Sequence, residues 1–244
     1  LLWERTLKNT SENEIKNKIL NKEILSIKRK AKFIVFEFNN VFLLTHLRMT
    51  GSLSITKNIP KDKKHVRAIF KLSNGFHLVY EDMRKFGGFY IYYTLDELDN
   101  RYGIDPLNPL FTNIYLYKQL NTRERMIKGL LLDQSIISGL GNIYIDESLW
   151  IAKIHPNSKS NKISLKKTKL LRSTIINILK ESIKHHGTTI RDFTYDTMKT
   201  GTFRTKLNVY GRNKKPCKIC LTTIKKIKSN SRGTHFCPKC QKLK

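Results

Sequence analysis

The chain has 244 residues, 39% of them hydrophobic, which is enough for one or two domains with buried cores. Lys and Arg outnumber Asp and Glu by 47 to 19, a formal charge of +28 with a pI near 10.0. Part of that excess is the Lys-, Ile- and Asn-rich composition an AT-rich gene encodes, but its sign calls for a polyanionic partner. A membrane is the poorer candidate, because no apolar run approaches the roughly 20 residues of a spanning helix and no basic amphipathic tail occurs. Nucleic acid is the better one. No secretory signal is found, and four cysteines in paired spacing suit a reducing cytosol.

In chain order, residues 22 to 95 read as strands: "ILSIKRKAKFIVFEF", "VFLLTHLRMTGSLSI", "HVRAIFKL" and "FHLVYEDMRKFGGFYIYY" are rich in Val, Ile, Phe and Tyr. Asn39-Asn40 and Ser73-Asn74-Gly75 supply hairpin turns, and the set predicts a β-sandwich. The two prolines of "RYGIDPLNPL" mark a linker. From about residue 112 Leu and Ile recur at helical spacing, through "RMIKGLLLDQSIISGLGNIYIDESLWIAKIHP" and "SLKKTKLLRSTIINILKESIKHH". Gly139, Gly141 and Asn142 fall between two of these helical segments, where a free helix N-terminus favours a phosphate. The predicted architecture is α+β in three parts: residues 1–105 a β-sandwich, 106–212 a helical DNA-binding domain, and 213–244 a zinc finger.

The last part carries the strongest local chemistry. Cys217, Cys220, Cys237 and Cys240 form two C-x-x-C pairs separated by sixteen residues, the spacing of a zinc ribbon. Four soft thiolates complete a tetrahedron and leave no open position, so one structural Zn²⁺ is expected, with a pair of disulfides as the alternative. Lys225, Lys226, Lys228 and Arg232 lie between the pairs and offer positive charge to phosphates.

"LLLDQSIISGLGNIYIDESLWIAKIHP", "HGTTIRDF", "VYGRNKKPCKIC" and "SRGTHFCPKCQ", in that order, resemble the helix–two-turns–helix domain and zinc finger of bacterial formamidopyrimidine-DNA glycosylase. "AKFIVFEF", "THLRMTGSL" and "EDMRKFGGF" resemble its β-sandwich. The resemblance implies a monomeric bacterial enzyme of the cytoplasm, associated with the nucleoid. Its substrate is double-stranded DNA, from which it excises oxidised purines such as 8-oxoguanine and formamidopyrimidines, then cleaves the abasic strand by β- and δ-elimination. Such an enzyme flips the damaged nucleotide out and fills the gap. The resemblance assigns the filling to Met49, Arg84 and Phe86; by charge alone Lys85 would serve as well as Arg84. It assigns phosphate contacts to Lys32, His65, Arg123 or Lys128, Asn142 and Arg232. Lys32 and Arg232 are also linked to proton transfers during strand cleavage.

This sequence departs from the family pattern at several places. Lys63 stands where relatives often carry a second His, which keeps a phosphate donor, and Ile104 replaces a proline, a change expected to affect loop stiffness alone. "RDFTYDTMKTGTFRTKLNVYGR" resembles the loop that covers the flipped base. The family begins Met-Pro-Glu and attacks the sugar C1′ with the proline amine, whereas this chain opens "LLWERTLKNT" and contains no Pro-Glu pair. Either the sequence is a fragment or the gene has decayed to a binding protein. The 244 residues as given are therefore expected to bind abasic and 8-oxoguanine duplexes without excising or cleaving. Two further readings are an endonuclease VIII-like enzyme for oxidised pyrimidines, against which "HGTTIRDF" argues, and a non-enzymatic zinc-ribbon DNA-binding protein.

Overall fold

A computed structural model describes residues 1–188 and 201–243. The backbone divides into two compact units, Leu1–Asp99 and Asn100–Thr188 continued from Thr202. Residues 191–200, the first ten of the stretch expected to cover the flipped base, lie outside the described residues.

The first unit is a sandwich of two antiparallel sheets. One has the order β1 (Ser26–Lys30), β2 (Phe33–Phe38), β3 (Val41–His46), β7 (Gly88–Tyr92); the other runs β4 (Gly51–Thr56), β6 (His77–Asp82), β5 (Val66–Lys71). Turns fall where Asn and Gly tolerate positive φ, at Asn40 (57°) between β2 and β3 and at Gly75 (81°) between β5 and β6. Phe36, Phe38, Leu43, Phe89 and Ile91 from the first sheet bury themselves in one cluster with Ala68 and Tyr80 from the second. Ile15 and Ile19 of helix α1 (Glu12–Lys18) and its end join them. Ser11 caps α1 by accepting from the Glu14 N–H at 3.1 Å, a Ser-x-x-Glu start that the strand-dominated reading passes over.

A short helix, α2 (Asp96–Arg101), leads to the second unit. There α3 (Asn113–Asn121), α4 (Ile127–Leu132), α5 (Asn142–Ile151) and α6 (Leu165–Lys184) pack around Leu116, Leu120, Ile127, Leu130, Leu131, Ile145, Leu149, Leu171 and Ile175. The proline-containing stretch adheres to this core: Ile104 makes a parallel bridge to Ile137 and packs on the cluster, and the Gly103 N–H donates to the Gln134 carbonyl at 2.9 Å. Ile104 thus does more than set loop stiffness, since it supplies apolar contact that a loop residue lacks.

The C-terminal hairpin, β8 (Lys225–Ser229) and β9 (Arg232–Phe236), and the segment that leads to it are held to the helices by two buried acids of α5. Asp146 receives the Lys128 ammonium of α4 at 2.5 Å on one oxygen and the His235 N–H at 2.8 Å on the other. Lys128 also donates to the Thr234 hydroxyl at 2.7 Å and the Gly233 carbonyl at 3.4 Å. Glu147 accepts the backbone N–H groups of Asn208, Val209 and Tyr210, each at 2.8 Å, and the Asn208 amide at 3.0 Å. Gly129 completes the fit, because a Cβ there would strike the Asn230 side chain in the hairpin turn.

Removing one partner of a buried ion pair strands the other charge, so Asp146→Asn should destabilise this unit by about 3–5 kcal/mol. Lys128→Met combined with Asp146→Leu, which strands no charge, should restore much of it. Urea unfolding followed through signals of the second unit reads both. An Asp146→Asn protein as stable as the parent would remove the pair from its organising position.

Candidate nucleic-acid interface and metal centre

The metal centre comes from two knuckles and a tryptophan. The Leu221 N–H donates to the Cys217 carbonyl at 3.0 Å and the Gln241 N–H to the Cys237 carbonyl at 2.9 Å, and these tight turns point each thiol pair inward. All four Sγ atoms lie within 4.8 Å of one another, with separations of 3.9 Å (Cys217–Cys240), 3.4 Å (Cys220–Cys237) and 3.5 Å (Cys220–Cys240). A tetrahedron of thiolates about 2.3 Å from zinc has edges of about 3.8 Å, so the donors reach the ion with shifts of about 1 Å or less. The Thr222 hydroxyl and N–H hold the Cys220 thiol down at about 6, which favours the thiolate a metal takes. Cys217 and Cys237 are buried against Trp150, Val209 and Ile224. The Trp150 indole N–H is buried with no hydrogen-bond partner among the described residues, in the same cluster as the Cys217 thiol.

On the same unit, α5 opens at Gly141 with no side-chain cap, leaving its first N–H groups for an outside acceptor. Gly141 itself has φ −119° and open space around it; the positive φ of this turn belongs to Gly139, at 79°. Asn142 donates to the Gly233 carbonyl at 3.1 Å, which brings the uncapped helix start beside exposed Arg232, the preceding residue. Arg123 is engaged locally, its guanidinium bonding the Gln119 side chain at 2.7 Å and the Thr122 hydroxyl at 3.0 Å near the end of α3. Lys128, expected among the phosphate contacts, requires correction. It is 0% exposed and its ammonium is consumed by Asp146, Thr234 and Gly233, so no phosphate reaches it.

In the first unit, Met49, Arg84 and Phe86 come together from two loops. The Arg84 guanidinium lies 4.7 Å above the Phe86 ring, and its Nη1 is 3.0 Å from the Met49 sulfur. Met49 is 64% and Phe86 55% exposed, so neither is a core residue. Asp82, a residue not singled out in the sequence, joins the two loops. Its buried carboxylate accepts from the Thr50 hydroxyl at 2.5 Å, the Gly87 N–H at 2.8 Å and the Arg84 N–H at 3.1 Å. Gly87 permits this closeness, because a Cβ there would meet the Tyr80 hydroxyl and the His46 carbonyl. His65 is anchored at the same place, its carbonyl accepting the Asp82 N–H at 2.9 Å, and exposed Lys63 closes the preceding turn.

Lys32 is exposed on the β1–β2 turn. Burial first, then the charges of Arg48 and Lys32, push the His46 imidazole down to about 4, and its Nδ1 accepts the Arg48 N–H at 3.0 Å. His46 is thus neutral at pH 7 beside two cations, a polarity suited to an incoming phosphate. It also was not singled out in the sequence, although it stands inside "THLRMTGSL".

Two outcomes test these centres. Cys237→Ser should lose stoichiometric zinc and expose β8–β9 to rapid amide exchange while β1–β7 stay protected; full zinc retention would rule out the four-thiolate site. Burial pushes the Asp82 carboxyl up, but its hydrogen bonds outweigh that and leave it below the ordinary value. Its contribution is complete above pH ~3.9 and disappears as pH falls through the lower folded value. Exchange of the Arg84 and Gly87 amides should accelerate over that acid range, and Asp82→Ala should show the accelerated rates at pH 7. Rates in Asp82→Ala equal to those of the parent would break the link between Asp82 and the loops.

Comparison with known proteins agrees with these parts. Residues 1–89 match the formamidopyrimidine-DNA glycosylase N-terminal domain, 102–194 the H2TH domain of the same enzyme, and 214–243 a zinc finger found in FPG and IleRS. The formamidopyrimidine-DNA glycosylase of Bacillus licheniformis is 40% identical over 98% of this chain and 89% of its own length; that of Bacillus subtilis is 38% identical over 99% and 90%. Among solved structures, Lactococcus lactis Fpg bound to DNA containing an abasic site superposes with a TM-score of 0.90 at 36% identity, covering 98% of this chain and 89% of that one. MutM in complex with DNA containing carbocyclic 8-oxo-G gives 0.89 at 35% identity, with the same coverage. With its three parts matched in order and near-complete overlap at this identity, the chain belongs to the formamidopyrimidine-DNA glycosylase family.

Proposed function

We propose that the protein serves the removal of oxidised purines from duplex DNA in the bacterial cytoplasm and the β- and δ-elimination that follows, with these 244 residues supplying its lesion binding, phosphate contacts and proton transfers. The observation that supports this most directly is the exposed Met49–Arg84–Phe86 group held by Asp82. A thioether, a guanidinium and a phenyl ring left outside a core and fixed by a buried carboxylate suit a wedge that enters a base stack. Met fills an irregular gap, Phe separates a base step, and Arg offers donors to the base left without its partner.

Around the wedge, Lys32, Lys63 and His65 on the first unit supply phosphate contacts. On the second, Arg232, Asn142 and the uncapped start of α5 do the same, and Lys32 and Arg232 assist proton transfer during elimination. Relatives crystallised with abasic and 8-oxo-G DNA support the choice of substrate.

Affinity measurements separate reading from gripping. The chain should bind 8-oxoguanine and abasic duplexes more tightly than undamaged DNA, and 8-oxoguanine more tightly than thymine glycol. Arg84→Ala should lose about 1–3 kcal/mol of discrimination by the base opposite the lesion. Arg232→Gln should weaken every duplex alike and reduce the salt slope by about one. Equal affinity for damaged and undamaged DNA sinks the proposal, and a preference for thymine glycol moves the protein to the pyrimidine-directed reading.

A further inference from the structure

At the end of α5 remote from Asn142 the chain builds a second basic feature. A cavity of about 80 Å³ is lined by Lys153, Ile154, Ser158, Lys162, Ile163, Ser164, Lys167 and Lys242. Four of these eight residues are lysines and none is acidic. Three separate stretches meet there: the turn after α5, the start of α6, and the tail beyond the last cysteine. Each is fixed. The Ile154 N–H donates to the Leu149 carbonyl at 2.9 Å and the Lys153 N–H to the Trp150 carbonyl at 3.1 Å, the two bonds of a Schellman turn. Lys153 occupies its left-handed position, at φ 53°, where glycine is the usual residue. Lys167 donates through Nζ to the Lys153 carbonyl at 2.7 Å, tying α6 to that turn. Gln241 donates to the Ile154 carbonyl at 2.8 Å while accepting the Cys237 N–H at 2.8 Å, which sets Lys242 at the rim.

Like charges held together on fixed backbone repel, and a multivalent anion converts that repulsion to attraction. Glu124, a carboxylate whose charge reaches Lys162, is held by Lys159 at 2.8 Å and does not line the cavity. We propose that this cavity is a phosphate site, separate from the contacts at Asn142 and Arg232, taking one phosphate group. At 1.5 Å rise per residue, the ten residues of α5 put it about 15 Å from the helix start that faces the DNA in the proposed function. Its occupant is therefore a phosphate other than those gripped there, from either a further stretch of DNA backbone or free phosphate. The site depends on the zinc knuckle, because the Cys237–Gln241 turn delivers Lys242.

Thermal shifts of the zinc-loaded chain in inorganic phosphate, at constant ionic strength, test the proposal. The parent should be stabilised by phosphate over chloride, and K153Q/K242Q should need at least about tenfold more phosphate for the same shift. K162Q, on an exposed lysine of the connecting loop, should show a smaller loss in the same direction. K22Q/K71Q, on exposed lysines of the first unit, should respond as the parent does. An unchanged response in both K153Q/K242Q and K162Q overturns the site, as does an equal loss in K22Q/K71Q, which would mean general surface charge. The source is then read from duplex binding: a salt slope reduced by about two in K153Q/K242Q on a long duplex but not on a short one assigns the site to DNA backbone. A lost phosphate response with unchanged slopes assigns it to free phosphate. Both readouts are independent of lesion recognition, so failure here leaves the proposed function standing.

Discussion

Two adjacent carboxylates on α5 organise the second unit. Asp146 and Glu147 stand in a helix whose other buried positions are mostly apolar, and neither side chain is exposed to solvent by more than 2%. Buried carboxylates are tolerated only when their oxygens are satisfied, and here every donor but Lys128 comes from the segment between Asn208 and His235. The hairpin is thus tied to α5 through the His235 N–H, and the segment that leads to it through the backbone of Asn208, Val209 and Tyr210. That attachment sets Arg232, which begins β9, beside Asn142, which opens the same helix.

The first unit uses the same device at a single residue. Asp82 is buried at the end of β6, and its oxygens collect donors from both loops that present Met49, Arg84 and Phe86. In a chain with only 19 acidic residues against 47 basic ones, three acids are placed inside as organisers, while among the described Lys and Arg residues only Lys128 and Arg67 are buried. That division leaves most of the positive charge on the surface. It also explains how the exposed Met49–Arg84–Phe86 group keeps a defined geometry without a core of its own beneath it.

Zinc and the Trp150 cluster form a third support. The knuckles supply the ligands, but the apolar wall that excludes water from Cys217 and Cys237 includes Trp150 of α5 and Val209. A knuckle with this little apolar sequence of its own is folded by metal on one side and by the helical unit on the other. His155 and Phe236, in edge contact at 4.5 Å between ring centres, extend that wall to β9.

Much of this was legible in the sequence, because the signals were local. Alternating Val, Ile and Phe gave the strands, Asn39-Asn40 and Ser73-Asn74-Gly75 gave turns, and the C-x-x-C pairs gave a metal centre whose donors the structure brings within 4.8 Å. The capping box of α1 was equally local and was hidden only by the strand-rich context that follows it. What tertiary structure alone decided was the use of each polar side chain. Lys128 and Arg232 are both cations at β9, yet one is enclosed by Asp146 and the other is exposed, and no spacing rule separates them. Asp82 was invisible as an organiser because the Thr50 hydroxyl that ties its loop to the other lies 32 residues away, and His46 because its burial is set by the packed sheet. Periodicity and ligand spacing are properties of neighbouring residues, whereas burial of a charge is set by which distant donors the packed chain brings to it.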